Sequence, residues 1–157
     1  MAEMPGIGAK APDFHLERDG GGKAKLADFK GRKLVLYFYP KDDTAGCTQE
    51  AKDFSALAGD FDKARATVVG VSPDPAKKHD RFKAKHDLAV ALLSDESTAM
   101  LAAYGVWKEK SMYGRKYMGV ERTTFLIDGK GVIREIWPRV KVAGHAQAVL
   151  EAARALP

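Results

Sequence analysis

The sequence predicts one α/β domain in which helices flank a central mixed sheet, with a β-hairpin near the N-terminus. Two apolar runs, at residues 34–39 and 68–72, have the composition of strands that are buried on both faces. A helical pattern follows each run, and this alternation is typical of parallel βαβ units. Two more strands meet at the turn 128–131, which indicates that the sheet also contains antiparallel pairing.

The N-terminal half of the chain alternates predicted strands and helices. Pro40 ends the first apolar strand, and Pro75 is tolerated in the first turn of the helix that it opens. Three consecutive glycines separate two short strand-like segments, which indicates the hairpin. The predicted elements are a hairpin (13–16 and 23–26), a strand (34–39), a loop (41–46), a helix (about 47–57), a strand (68–72) and a helix (75–86).

The C-terminal half is predicted to close the sheet with a hairpin and a helix. Ser97 is a favourable N-cap for a helix that ends at Tyr104. The order β-α-β-α, a short αβ portion and β-β-α describes a thioredoxin-like sandwich over residues 1–157. Its last elements are a brief strand (92–93), a helix (97–104), a hairpin (123–127 and 132–137) and a helix (144–156).

Composition excludes several classes of function. Charged residues make up 30% of the chain and hydrophobic residues 45%, which are ordinary values for a soluble domain. The net charge is +5, but its densest cluster, at 77–85, lies on a predicted amphipathic helix and is interpreted as a solvated face. We therefore expect no nucleic-acid partner.

The apolar runs are too short to cross a bilayer, and the N-terminus does not resemble a secretory signal, so we expect no membrane partner. The chain has one cysteine and therefore no intramolecular disulfide, which favours a cytoplasmic location. The four histidines lack the spacing of zinc ligands, so we expect no metal and no cofactor. His79 and His86 are expected to lie exposed on one helix face.

Cys47 is the candidate reactive residue. It begins a predicted helix directly after Gly46, where unpaired N–H groups and the positive end of the helix dipole stabilise a thiolate. Thr44 lies three residues earlier and offers a hydroxyl to the thiolate or to a peroxide oxygen. A buried, unreactive cysteine is the alternative interpretation, with Thr44 stabilising the turn and Pro40 only ending the strand.

The pattern Pro40-x-x-x-Thr44-x-x-Cys47 lies within YPKDDTAGCTQEA (39–51), which resembles the active-site segment of the peroxiredoxins. Within that family the chain is most similar to the bacterioferritin comigratory protein, or peroxiredoxin Q, subfamily. The resemblance extends over nearly the whole chain. It includes GVSPDPAKKH (70–79), YGVWKEK (104–110), SMYGRKYMGVERTTFLID (111–128) and VKVAGH (140–145).

The resemblance implies a role for each matching position. Cys47 matches the peroxidatic cysteine, Thr44 the hydroxyl that orients the peroxide, and Pro40 the proline that shields the thiolate. Arg122 matches the arginine that stabilises the thiolate and the transition state, a task suited to a side chain that stays charged. Glu50 is expected to orient active-site groups. From the residues alone, a surface ion pair between Arg122 and Glu121 and an exposed Glu50 remain open.

One departure from the subfamily shapes the expected cycle. Many members carry a resolving cysteine five residues after the first, where this chain has Lys52. The resemblance therefore implies a one-cysteine peroxidase that reduces hydrogen peroxide and small organic hydroperoxides. Its sulfenic acid is regenerated by an external thiol, such as thioredoxin or glutathione with glutaredoxin. A monomer is expected. The alternatives are a sensor that oxidises once and a non-redox interaction module.

Four apolar side chains remain without an assigned role. Met112, Tyr113, Tyr117 and Met118 are predicted to lie in a loop between elements. There they would line the mouth of the site, and packing into the core is the alternative.

Overall fold

The computed structural model describes residues 3–157, and that range contains nine strands and five α-helices. The strands are β1 His15–Arg18, β2 Lys23–Lys25, β3 Lys33–Phe38, β4 Ala66–Ser72, β5 Ala91–Ser94, β6 Trp107–Met112, β7 Arg115–Val120, β8 Thr123–Ile127 and β9 Ile133–Trp137. The helices are α1 Ala45–Ala56, α2 Ala58–Lys63, α3 Ala76–His86, α4 Ala99–Ala103 and α5 His145–Ala155.

Seven of these strands form one mixed sheet in the order β2-β1-β5-β4-β3-β8-β9. The strands β3, β4 and β5 are parallel, while β8, β9, β1 and β2 pair antiparallel to their neighbours. The predicted thioredoxin-like α/β sandwich and its N-terminal hairpin are therefore confirmed. The strand β3 lies next to the central strand β4, and ligands bind at the carboxyl ends of the parallel strands in such folds.

The sheet separates two hydrophobic cores. Alternate residues of β3 enter each of them, because successive side chains on a strand point to opposite faces. Val35 and Tyr37 pack with α1, α2, α3 and α5, whereas Leu36 and Phe38 pack with α4 and the N-terminal segment. Each large side chain so buried contributes about 1.5–3 kcal/mol. The two cores fix β3, and hence the loop that follows it.

Several element ends differ from the predictions. The first helix begins at Ala45 rather than at Cys47, with Thr44 as its N-cap. The cap of α4 is Thr98 in a left-handed conformation (φ 65°), and not Ser97. Ser97 instead accepts a hydrogen bond from the Ala99 N–H at 3.3 Å. A polar side chain one position away thus satisfies an N–H group of the helix terminus.

The largest correction concerns residues 107–120, because Met112, Tyr113, Tyr117 and Met118 within this segment were predicted to lie in a loop. The segment forms the two-stranded hairpin β6–β7, separate from the main sheet. Its turn residues, Tyr113 and Gly114, both have positive φ, which matches the hairpin twist. The alternative prediction, that its apolar residues pack into the core, is also wrong, because Met112, Tyr113, Tyr117 and Met118 are exposed. Strand propensity was masked here by five charged residues among the fourteen.

None of the helices in residues 3–157 has the length and hydropathy needed to cross a membrane.

Candidate active site

The loop after β3 delivers Cys47 to the N-terminal turn of α1. Thr44 caps the helix in an extended conformation, and its carbonyl accepts a hydrogen bond from the Thr48 N–H at 2.8 Å. Cys47 is the third residue of α1, so it lies among the N–H groups that have no partner within the helix. The positive end of the helix dipole stabilises a thiolate at this position. The side chain is only 1% exposed.

Strand pairing brings Arg122 to Cys47, although the two residues are 75 positions apart. Phe38 pairs with Thr123 across β3 and β8, so Arg122 lies beside the end of β3. Its backbone is fixed by a hydrogen bond from the Val140 N–H to the Arg122 carbonyl, at 2.9 Å. The Arg122 Nη2 group donates to the Cys47 Sγ atom at 3.3 Å. The guanidinium thus places a permanent positive charge against the sulfur.

Glu50 holds the other side of the guanidinium. Its Oε1 atom accepts a hydrogen bond from Arg122 Nη1 at 2.6 Å, and the side chain is 1% exposed. The exposed Glu50 and the Arg122–Glu121 surface pair are therefore both excluded. Burial raises the pKa of Glu50 to about 7, although the charge of Arg122 opposes this shift. Within residues 3–157, the Glu50 Oε2 atom has no hydrogen-bond partner. Cys47, Glu50 and Arg122 are called the thiol cluster below.

Tyr37 and Gly70 form part of the floor under α1, and neither was predicted as a site residue. The Tyr37 ring stacks on Phe54 of α1 with a centroid distance of 4.8 Å. A Cβ atom at Gly70 would lie 2.6 Å from the Tyr37 Cζ atom, so a larger residue there would displace the ring. Burial raises the pKa of Tyr37 well above its ordinary value, and the phenol stays neutral.

Thr44 and Pro40 lie where the sequence predicted, on the loop before Cys47. The Thr44 hydroxyl donates to the Lys41 carbonyl at 2.9 Å, which is the turn-stabilising contact considered as its alternative role. This bond orients the hydroxyl and leaves its lone pairs free to accept. In the described part of the chain no hydrogen bond joins Thr44 to Cys47. Pro40 is half-buried and, like any proline, offers no N–H group.

His145 lies close enough to Arg122 for its ring to be affected by the arginine charge. It is the first residue of α5, and its Nε2 atom lies 2.8 Å from the Thr124 hydroxyl. Burial and the nearby charge of Arg122 lower the pKa of His145 to about 4, so the ring is neutral at pH 7. Arg122 is therefore the cation that faces Cys47. In the sequence, this position was marked only by the resemblance of VKVAGH (140–145) to the subfamily.

A second buried polar cluster joins the same loop to α3 and to the segment after β4, and it was not predicted. His79 is fully buried rather than exposed, so the interpretation of a solvent-facing histidine was wrong. Its Nδ1 atom lies 2.6 Å from Asp42 Oδ2, and its Nε2 atom lies 2.9 Å from the Leu93 carbonyl oxygen. Asp74 accepts the Asp42 N–H at 2.8 Å. Asp42, Asp74 and His79 are called the clamp cluster below.

A thioredoxin-like sandwich that presents a cysteine at a helix N-terminus, against a half-buried arginine, defines a class of thiol-dependent peroxidase. The AhpC/TSA family model matches residues 7–136, and this chain belongs to that family. Curated relatives agree. The chain is 50% identical to peroxiredoxin Bcp of Xanthomonas campestris over 99% of its length and 95% of that protein. It is 48% identical to peroxiredoxin Bcp of Bacillus subtilis, over 92% of each chain.

Solved structures show the same relationship. A mutant of Xylella fastidiosa PrxQ superposes with a TM-score of 0.92 at 40% identity, covering 99% of this chain and 98% of that chain. The bacterioferritin comigratory protein of Xanthomonas campestris, described with alkyl peroxide reduction activity, has a TM-score of 0.87 at 48% identity and covers 90% of both chains. The protein is a peroxiredoxin, and its single cysteine fits the one-cysteine type.

Proposed function

We propose that Cys47 is the nucleophile of this peroxidase and that it reduces hydrogen peroxide and small organic hydroperoxides. The observation that carries the proposal is the 3.3 Å contact between Arg122 Nη2 and the Cys47 sulfur, in the first turn of α1. The arginine and the helix N-terminus both stabilise the anion that attacks. The near-complete burial of the sulfur favours small oxidants.

In the first step the Cys47 thiolate attacks one peroxide oxygen, and an S–O bond forms as the O–O bond breaks. Sulfur is oxidised to the sulfenic acid, and the peroxide is reduced to water or an alcohol once the leaving oxygen takes up a proton. Negative charge moves from sulfur to the leaving oxygen. Arg122 reaches the sulfur from one side, where its positive charge favours both the starting thiolate and the transition state.

The remaining positions act on this step in three ways. Thr44 accepts a hydrogen bond from the peroxide O–H, because its own proton is already donated to Lys41. Pro40 shields the thiolate, since it brings bulk and no competing N–H donor. Glu50 holds the Arg122 guanidinium at the sulfur through its 2.6 Å hydrogen bond. We assign these roles to Thr44, Pro40 and Glu50 together with Cys47 and Arg122.

The second half of the cycle requires an external thiol. Lys52 occupies the position of a nearby resolving cysteine, and the chain contains no other thiol. One external thiol attacks the sulfenic sulfur, and an S–S bond forms as the S–O bond breaks and water leaves. A second external thiol attacks the outer sulfur of this mixed disulfide, which frees the Cys47 thiol and releases the two external thiols as a disulfide. Thioredoxin, or glutathione with glutaredoxin, supplies the chemistry in a reducing cytoplasm. We place the enzyme there as a monomer, with residues 1–157 as one domain.

The test is peroxide consumption by the wild type and by Cys47→Ser, which has no thiol at all. Each protein receives dithiothreitol, thioredoxin with its reductase, or glutathione with glutaredoxin. Many turnovers in the wild type and none in Cys47→Ser support the proposal, and the effective reductant identifies the physiological class. Turnover that survives in Cys47→Ser would overturn the assignment. A single stoichiometric oxidation with every reductant would instead indicate a sensor.

A further inference from the structure

The loop that carries Pro40 and Thr44 is attached to α3 through two neighbouring aspartates. Asp42 is buried and contacts His79 at 2.6 Å, and its backbone N–H donates to Asp74. Asp43 is exposed and accepts hydrogen bonds from Lys85 and His86, at 2.7 and 2.8 Å. Because α3 lies more than thirty residues further along the chain, these contacts set the position of the loop independently of α1.

Geometry fixes the protonation state of His79. Both of its ring nitrogens face acceptors, the Asp42 carboxylate and the Leu93 carbonyl oxygen. A neutral imidazole has one N–H, so only the imidazolium donates to both. A neutral ring would leave two buried acceptors facing each other without a proton between them, which costs about 1–3 kcal/mol.

The charges around His79 lead to the same conclusion. The groups that face it are Asp42 from the loop, Asp74 from the segment after β4, the neutral phenol of Tyr39 at the end of β3, and the Leu93 carbonyl of β5. On its own helix, Lys78 pairs with Asp74 at 2.9 Å. Two carboxylates are thus balanced by Lys78 and a positively charged His79.

The same atoms have the arrangement of a metal site, since one ligand atom each from Asp42, Asp74 and His79 lies within 4.8 Å of the others. Their lone pairs, however, are directed at protons. Asp42 accepts from the Tyr39 hydroxyl at 2.6 Å, and Asp74 accepts from the Ser72 hydroxyl at 2.7 Å. The cluster is therefore built around a proton on His79 rather than around a cation.

We propose that His79 is a positioning residue for the peroxide reaction: as a buried imidazolium it holds Asp42, and through Asp42 it holds Pro40 and Thr44 in register with Cys47. Loss of its proton at alkaline pH, or loss of its side chain, releases the loop. Burial lowers the pKa of His79, but the hydrogen bond and the charge of Asp42 raise it further, and the net pKa lies above its ordinary value of 6.5. The imidazolium therefore persists to higher pH than in an ordinary histidine, and the clamp is lost as the pH rises through that raised pKa.

The test compares wild type, His79→Gln and the matched control His15→Gln, whose histidine is exposed on β1. The second-order rate constant for Cys47 oxidation by hydrogen peroxide is measured by rapid mixing, from about pH 5 to about pH 10. We expect the wild type and His15→Gln to lose rate on the alkaline side. His79→Gln should react about tenfold more slowly at neutral pH, because the loop is misplaced, and should lack the alkaline decline.

A His79→Gln protein with the rate constant and pH profile of the wild type would overturn the proposal, whatever its stability. If this variant fails to fold, ¹⁵N chemical shifts of the wild-type histidines decide the matter. Two protonated ring nitrogens on His79 at neutral pH, lost in parallel with the alkaline decline in rate, support the clamp. A neutral His79 at neutral pH would refute it. The proposal rests on Cys47 as the nucleophile, and that assignment has its own test: turnover in Cys47→Ser would overturn the nucleophile, whereas an unchanged His79→Gln would overturn only the clamp.

Discussion

The thiol cluster and the clamp cluster are joined by one loop, and they differ in how fully their polar groups are paired. Both oxygens of Asp42, both oxygens of Asp74 and both ring nitrogens of His79 have partners. In the thiol cluster the Glu50 Oε2 atom has none in the described chain, and the hydroxyl of Tyr37 below α1 has none either. Each unpaired buried group costs about 1–3 kcal/mol.

This difference separates reaction from support. A cluster that only positions the chain gains from complete pairing, because every contact lowers the energy of one arrangement. A reacting cluster must leave capacity for a peroxide that arrives and for a proton that departs, so incomplete pairing is retained at the site of chemistry. The two clusters should therefore respond in opposite ways to substitution: the thiol cluster mainly in rate, and the clamp cluster in stability as well as rate.

The largest expected effect is on the thiol cluster. Arg122→Met should lower the rate constant for Cys47 oxidation by about 100–1,000-fold, the usual cost of one electrostatic donor in a transition state. Its free energy of unfolding should change little, because Glu50, with a pKa of about 7, takes up a proton when its partner is removed. Rapid-mixing kinetics and urea unfolding measure the two effects.

Arg122→Lys is the matched variant. It keeps the charge but lacks the planar fork that spans Glu50 and Cys47, so it should recover only part of the rate. A large loss of stability in Arg122→Met, with the rate preserved, would contradict the contrast and make the thiol cluster structural.

Substitutions in the clamp cluster should lower the free energy of unfolding. Asp74→Asn replaces an acceptor of the Asp42 N–H and the Ser72 hydroxyl by a group that also carries donors, and should cost about 2–3 kcal/mol. Lys78→Met, which removes a half-exposed pair to the same carboxylate, should cost no more than about 1 kcal/mol. Urea unfolding of the three proteins gives both values, and equal losses would contradict the ranking.

The dependence on pH follows from the Asp74 carboxylate. Burial raises the pKa of Asp74, but its hydrogen bonds from Ser72, Asp42 and Lys78 outweigh burial and hold it below the ordinary value. Its contribution is therefore present above the ordinary pKa and is lost as the pH falls through the lowered one. The difference between wild type and Asp74→Asn should shrink in acid.

The sequence predicted the loop and helix start around Cys47 better than the clamp cluster, and the reason is local. Cys47, Thr44 and Pro40 lie within eight residues, so helix capping and strand termination determine their arrangement. Arg122 depended on the resemblance, since only the β3–β8 register brings it to the sulfur. His79 was misassigned because its helix is densely charged, and nothing in that pattern shows that one polar side chain turns inward toward Asp42.

The hairpin β6–β7 shows the same limit. Its pairing is satisfied within fourteen residues, yet its side chains are mostly exposed, so neither an apolar run nor a clean alternation marks the strands. Elements with at least one buried face were predicted closely, as β8 and α5 were. The structure was needed to locate elements that lack a buried face and to find contacts between distant segments.

Glu50→Gln sharpens the comparison through pH. Above about pH 7 the ionised Glu50 anchors Arg122, so the variant should react with peroxide about tenfold more slowly there, because a charged acceptor makes the stronger hydrogen bond. As the pH falls below 7, Glu50 becomes protonated and the two rates should converge.

The stability difference between wild type and Glu50→Gln should follow the opposite course. Between about 4.5 and about 7 the folded state keeps a proton that the unfolded chain loses, so the wild type becomes less stable relative to the variant as the pH rises. Parallel trends in rate and stability would contradict the assignment of Glu50 as an anchor.

The smallest expected effect comes from Gly46, in the first turn of α1. A Cβ atom there would lie 3.3 Å from Arg122 Nη2, which forces the guanidinium to move by a few tenths of an ångström against its bond to Glu50. Gly46→Ala should therefore lower the rate constant about two- to fivefold, since small displacements of a catalytic group are costly. The same change should stabilise the protein by about 0.5–1 kcal/mol, because alanine is the better helix residue.

Gly59→Ala in α2 is the matched control, since a Cβ atom at Gly59 meets nothing within 4 Å. It should gain the same stability with no change in rate. If both variants keep the wild-type rate, the position of the guanidinium is not tightly constrained. The contrast between a reacting cluster that tolerates no displacement and a supporting cluster fixed by its full set of partners would then fail at its most sensitive point.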